Sequence, residues 1–144
     1  MKSLISAIFL IFLGIASPAM ANELKDFTSD GCSKSPDGIP WYNPDAFLDC
    51  CIQHDIVYWH GGTADDRILA DQDLKACIDK TGHPDIAKTY YYAVRVGGSP
   101  KFNSNFRWGY GWKENRGYTP LTQEEWDQVE IKLQTVLTRG ITIQ

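Results

Sequence analysis

The chain is 144 residues long, 43% apolar, with a formal net charge of −4. That length holds one domain with one modest core. The acidic balance, with no basic cluster to offset it, argues against a nucleic-acid partner.

Residues 1–21 read as a secretory leader. Lys2 is followed by the apolar run LISAIFLIFLGIA and then by Ala19-Met20-Ala21, a cleavage signal. The run is too short for a transmembrane span, and no second long apolar run follows. The expected mature chain is a single exported domain, 22–144, secreted or periplasmic. Residues 22–43 are rich in Asp, Gly, Ser and Pro and read as an irregular loop. A loop of that length in a compact domain is functional or tied down.

Helix signals come next. Asn43 and Pro44 predict an N-cap and a first helical position, for a helix over 44–59 stopped by Gly61-Gly62. Thr63 and Asp66 form a capping box for a second helix that ends near Gly82. Pro84 opens a third, ended by Gly97-Gly98. Residues 97–118 are rich in Gly and aromatics, and the alternation in NFRWGYGWKENRGY predicts a short hairpin. Thr122 and Glu125 are another capping box. Trp126, Val129, Leu133, Val136 and Leu137 form one stripe on the helix that follows, which Gly140 ends. The fold class is mostly α.

Cys32, Cys50, Cys51 and Cys77 all lie in the mature part. An even count in an exported chain predicts two disulfides, with three pairings open. The rival is a zinc site from Cys50, Cys51, His54 and Cys77. Adjacent cysteines on a helix diverge by about 100° and chelate poorly.

On the first helix, Phe47, Cys50, Cys51, His54 and Tyr58 fall within one arc, with Asp55 at its edge. On the second, Ala70, Leu74, Cys77 and Ile78 form the stripe, with Asp71 on its flank. A buried imidazole needs partners for its nitrogens. A carboxylate from the facing helix would fix the tautomer and leave the other nitrogen to accept a proton, as a general base requires. If Cys50 pairs with Cys77 across antiparallel helices, His54 and Asp71 come together. Cys51 is then left to Cys32, which holds Asp30 and Gly31 near Asp55. Two carboxylates and main-chain carbonyls make a hard-oxygen site suited to Ca²⁺.

These residues carry a resemblance. CCIQHDIVY resembles the Cys-Cys-x-x-His-Asp-x-x-Tyr signature of secreted phospholipases A2. SDGCSKSPDG resembles the calcium-loop segment of the bacterial and fungal branch, and ADQDL the helix that supplies the dyad aspartate. The resemblance covers about residues 28–78. It implies a phospholipase A2-like fold: two antiparallel disulfide-linked helices, additional helices and a long calcium-loop segment. It implies His54 as the base that activates water, Asp71 as its carboxylate partner and Tyr58 as a hydrogen-bond donor to that aspartate. Asp55, Asp30 and the Gly31 carbonyl match the ligands of Ca²⁺. The implied activity is hydrolysis of the sn-2 ester of a phospholipid at a membrane interface. The glycine-rich loop of the animal enzymes is absent, and nothing beyond Ile78 matches.

Several residues keep a second reading. Asp73 rivals Asp71 as the dyad partner. Trp108 and Trp112, with the other aromatics of 102–118, serve either the core or a lipid interface. Arg95 and Arg107 either meet a lipid phosphate or pair within the protein. The alternative to an enzyme is a non-catalytic module of the same fold, binding lipid, calcium or a protein partner through the aromatic loop.

Overall fold

The structure, a computed structural model, describes residues 22–140. The leader reading and the last four residues of the expected domain lie outside the described residues. Four helices occur in chain order: α1 (Leu48–His60), α2 (Ala64–Asp79), α3 (Pro84–Gly97) and α4 (Gln123–Arg139). The class is mostly α, with no strand among the described residues. None of these helices is long and apolar enough to cross a membrane.

The first helix begins at Leu48 rather than at Pro44. Asn43 is already committed elsewhere. Its carbonyl accepts from the Ile39 N–H at 2.7 Å, and its own N–H donates to the Ile39 carbonyl at 3.0 Å. That closed turn absorbs the capping signal, and Phe47 becomes the N-cap with no side-chain cap bond. Gly61 ends the helix at φ +69°, where a Cβ would come within 2.9 Å of the Gly109 backbone. The Thr63–Asp66 and Thr122–Glu125 capping boxes both form as predicted, each with reciprocal bonds. Pro84 opens α3.

Two disulfides hold the frame: Cys50–Cys77 and Cys32–Cys51. All four cysteines are consumed, so the zinc site is overturned. Three pairings show that α1 and α2 run antiparallel. Cys50 meets Cys77, His54 meets Asp71 and Tyr58 meets Arg67, in opposite chain order. The second bond pins the loop before α1 against that helix.

The predicted hairpin in 105–118 does not form. Its backbone donors serve the end of α1 instead. Gly109 N–H donates to the Tyr58 carbonyl at 2.7 Å, and Gly111 N–H to the Trp59 carbonyl at 3.0 Å. The Trp112 indole N–H donates to the His60 carbonyl at 2.7 Å. With Gly61 N–H on Val57, every carbonyl of the last turn of α1 has a partner. Trp108 and Trp112 are fully buried, and the Trp108 indole donates to the Gly62 carbonyl at 2.9 Å. They belong to the core, which overturns their reading as an exposed lipid-binding loop.

The core has three parts. One packs Phe47 and the cysteines of α1 against Leu74, Ile78 and Tyr90. A second packs Leu24 and Phe27 of the N-terminal segment against Trp59, Trp112 and Val129. The third joins Tyr58, Ala70 and Trp108. On α4, Val129 is buried and Leu133 and Val136 pack beside it. Trp126 is 40% exposed and Leu137 78%, so the predicted stripe is narrower than five residues. Trp126 rests against the His60 ring.

Candidate functional site

His54 lies on the buried arc of α1, between the cysteines and Tyr58. Its Nε2 is 2.8 Å from Asp71 Oδ1. Asp71 is fully buried. Burial alone would raise its carboxyl. Hydrogen bonds from His54, Tyr58 and Arg95 outweigh that and hold it below the ordinary carboxylate range. An ionised carboxylate only accepts, so Nε2 carries the proton and Nδ1 is the free acceptor. Asp73 is exposed and takes no part.

Tyr58 donates its hydroxyl to the same Oδ1 at 2.7 Å. Burial, and then the Asp71 charge, push the phenol up, so it stays a neutral donor. Arg67 Nε donates to the Tyr58 oxygen at 2.9 Å, which leaves the Tyr58 proton to point at Asp71. Arg95 Nη1 donates to Asp71 Oδ2 at 2.6 Å. The Tyr58 ring also lies on the Gly98 backbone. A Cβ at Gly98 would overlap the ring and sit 2.7 Å from the hydroxyl.

Asp55 leaves α1 on a different side from His54. The Ser29 hydroxyl donates to its Oδ2 at 2.5 Å, and the Gly31 N–H donates to Ser29 Oγ at 3.1 Å. The Cys32–Cys51 bond thus brings the loop onto the carboxylate. Burial first, and the charge of Asp30 in addition, push the Asp55 carboxyl up to about 7, against the Ser29 bond and the Asp30 N–H. Asp30 itself is exposed and accepts from the Ser33 hydroxyl at 2.9 Å.

A cavity of about 270 Å³ opens at this point. His54, Asp55 and Gly31 line its polar part, and Leu74, Val94 and Phe106 its apolar walls. On the other side of Asp55 is a more polar cavity of about 280 Å³, shared with Ser29, Asp30 and Tyr110. Among the described residues no three His, Cys, Asp or Glu side chains group to hold a metal. A cation here would rest on the Asp55 and Asp30 carboxylates with main-chain oxygens. Of these, Asp55 is the buried carboxylate that an added positive charge would keep ionised, while Asp30 is exposed and engaged by Ser33.

The sequence signals brought five of the six candidates to one place. His54, Asp71 and Tyr58 share one hydrogen-bond network, and Asp55 and Gly31 share the cavity with His54. Asp30 stands outside the contact, and only its charge and N–H reach Asp55. Ser29, Arg67 and Gly98 were not anticipated. Ser29 sat in a turn-rich stretch where serine is ordinary. Arg67 lies four residues before Asp71, the spacing of a helical ion pair, and that signal was available. Arg95 pairs within the protein, and Arg107 donates to the Ser104 carbonyl at 3.2 Å.

No protein-family model, curated protein or solved structure matches the chain.

Proposed function

We propose that the protein is an exported, Ca²⁺-dependent esterase of the phospholipase A2 type, acting on the sn-2 ester of phospholipids. The observation that carries this reading is the His54–Asp71 pair at an apolar-walled cavity that Asp55 also lines. His54 Nδ1 takes a proton from a water molecule at the cavity floor. Asp71 stabilises the imidazolium that results and holds the ring in place. Tyr58 keeps Asp71 oriented. The apolar walls take an acyl chain and exclude water around the ester. Asp55, Asp30 and the Gly31 carbonyl would hold the calcium ion. When bound, such an ion polarises an ester carbonyl and offsets the negative charge that develops on its oxygen. Two disulfides suit an oxidising compartment outside the cytoplasm.

The test is release of fatty acid from mixed phospholipid vesicles by the protein spanning residues 22–144, with calcium and then with excess EGTA. We expect calcium-dependent release of the sn-2 chain, and loss of at least about 1,000-fold in His54→Gln with the fold intact. Full activity in that variant refutes the mechanism. No release from any lipid by correctly bridged protein favours the non-catalytic module.

A further inference from the structure

The buried carboxylate of the site is surrounded by more positive charge than a dyad needs. Asp71 has two oxygens, and their partners are divided. Oδ1 accepts from His54 Nε2 and from the Tyr58 hydroxyl. Oδ2 faces Arg95 Nη1 at 2.6 Å and Arg67 Nε at 3.9 Å. The two arginines differ in kind. Arg67 is buried and fully used: Nε on Tyr58, Nη1 on the Tyr118 hydroxyl at 2.6 Å, Nη2 on the Val94 and Arg95 carbonyls, both at 2.8 Å. It clamps α2 to the end of α3. Arg95 keeps 27% of its side chain exposed, and its hydrogen bond to Asp71 is its closest polar contact.

From this division we infer that Arg95 is a positioning residue that acts on His54 through Asp71. A carboxylate buried as deeply as Asp71 stays ionised only while donors offset its desolvation. With the Arg95 guanidinium on Oδ2 it only accepts, so Nε2 carries the ring proton and Nδ1 is the acceptor. Without that charge the carboxyl can hold a proton and donate it to Nε2, which moves the ring proton to Nδ1 and removes the acceptor. Arg95 also stands on α3, whose Tyr90, Val94 and Gly97 line the cavity. One helix therefore carries both part of the ligand wall and the brace of the dyad. The inference deepens the esterase reading and, for its kinetic half, rests on it.

The experiment has two arms, so that the two ideas fail separately. The first arm needs no activity. Ring nitrogen–proton correlation spectra of the disulfide-bonded protein, with His60 and His83 assigned by substitution, report the tautomer of His54. Wild type is expected to show one Nε2-protonated form. Arg95→Ala is expected to show a mixture, and added guanidinium, entering through the exposed side of the vacated space, to restore the single form. Arg95→Lys is expected to stay close to wild type. The second arm measures vesicle hydrolysis. Arg95→Ala is expected to lower kcat by about 10- to 100-fold, the scale on which outer partners of a histidine act, with KM changed less than about twofold. Guanidinium is expected to recover part of that loss. A single unchanged tautomer in Arg95→Ala overturns the inference, whatever the activity. A mixed tautomer in a protein that hydrolyses no lipid upholds the brace and removes the esterase. If Arg95→Ala fails to fold, Arg95→Gln carries both arms, because its amide reaches neither the charge nor the second donor of the guanidinium.

Discussion

Asp55 and His54 are neighbours in the chain and opposites in chemistry. The helical rotation of about 100° between them sends one toward a buried carboxylate and the other toward a loop. Their environments are tuned in opposite directions. Asp71 is surrounded by donors and stays ionised, while Asp55 is buried with one hydroxyl and a like charge nearby. This has a consequence for stability. A carboxyl whose folded value is pushed up takes up a proton on folding. Its contribution is complete below about pH 4 and is lost as pH rises through about 7. At about 1.4 kcal/mol per pH unit, the span amounts to a few kcal/mol. In EDTA, the urea midpoint is expected to fall between pH 5 and 7.5, and Asp55→Asn to flatten that fall. Equal slopes in the two proteins would show that Asp55 is not the group responsible. At this scale the site was largely legible. The face that His54 and Tyr58 share follows from 3.6-residue spacing, while the choice of Asp71 over Asp73 and the role of Tyr58 also needed the resemblance. Arg67 was legible only as an i, i+4 partner of Asp71, because an arginine is rarely buried and its helix position alone does not say that four acceptors await it.

Elements tell a different story. The capping boxes of α2 and α4 are local chemistry, complete within four residues, so the sequence predicts them and the structure contains them. The start of α1 and the supposed hairpin were misread for one shared reason. Both depend on where backbone groups find partners far along the chain. Asn43 bonds back to Ile39, and residues 108–112 bond to the end of α1. No local pattern encodes either choice. The wrap around α1 is also where a test at this scale belongs. Trp112→Phe keeps a buried ring but removes the donor from the His60 carbonyl. It is expected to cost about 2–4 kcal/mol, from an unsatisfied carbonyl together with lost volume. A chemical denaturation series measures it. Amide exchange should speed up first in the last turn of α1. A loss below about 0.5 kcal/mol would mean that water reaches that carbonyl and the wrap is dispensable.

The whole molecule divides its work between two crosslinks. Cys50–Cys77 ties the helices that carry His54 and Asp71, and Cys32–Cys51 ties the loop that carries Ser29 and Gly31. Their sequence separations, 27 and 19 residues, are close enough that chain entropy alone gives each about 3 kcal/mol. Their functional weights should differ. Cys32→Ala/Cys51→Ala is expected to lose about that much stability and, on the proposed function, to need far more calcium for activity while its tautomer at His54 persists. Calorimetry with and without calcium, beside a calcium titration of hydrolysis, separates the two effects. An unchanged calcium requirement would detach the loop from cation binding.

The adjacency of Cys50 and Cys51 has one more consequence, for making the protein. During oxidative refolding, each partner thiol must choose between two targets one residue apart. The exchanged isomer, Cys32–Cys50 with Cys51–Cys77, has the same mass and the same number of bonds. It would rotate α1 by about 100° against α2 and carry His54 away from Asp71. Tryptic digestion does not separate the isomers either, because trypsin does not cut between the two cysteines, and three linked peptides come out in both cases. Chromatographic homogeneity together with the His54 ring spectrum is the identity test that a refolded preparation has to pass.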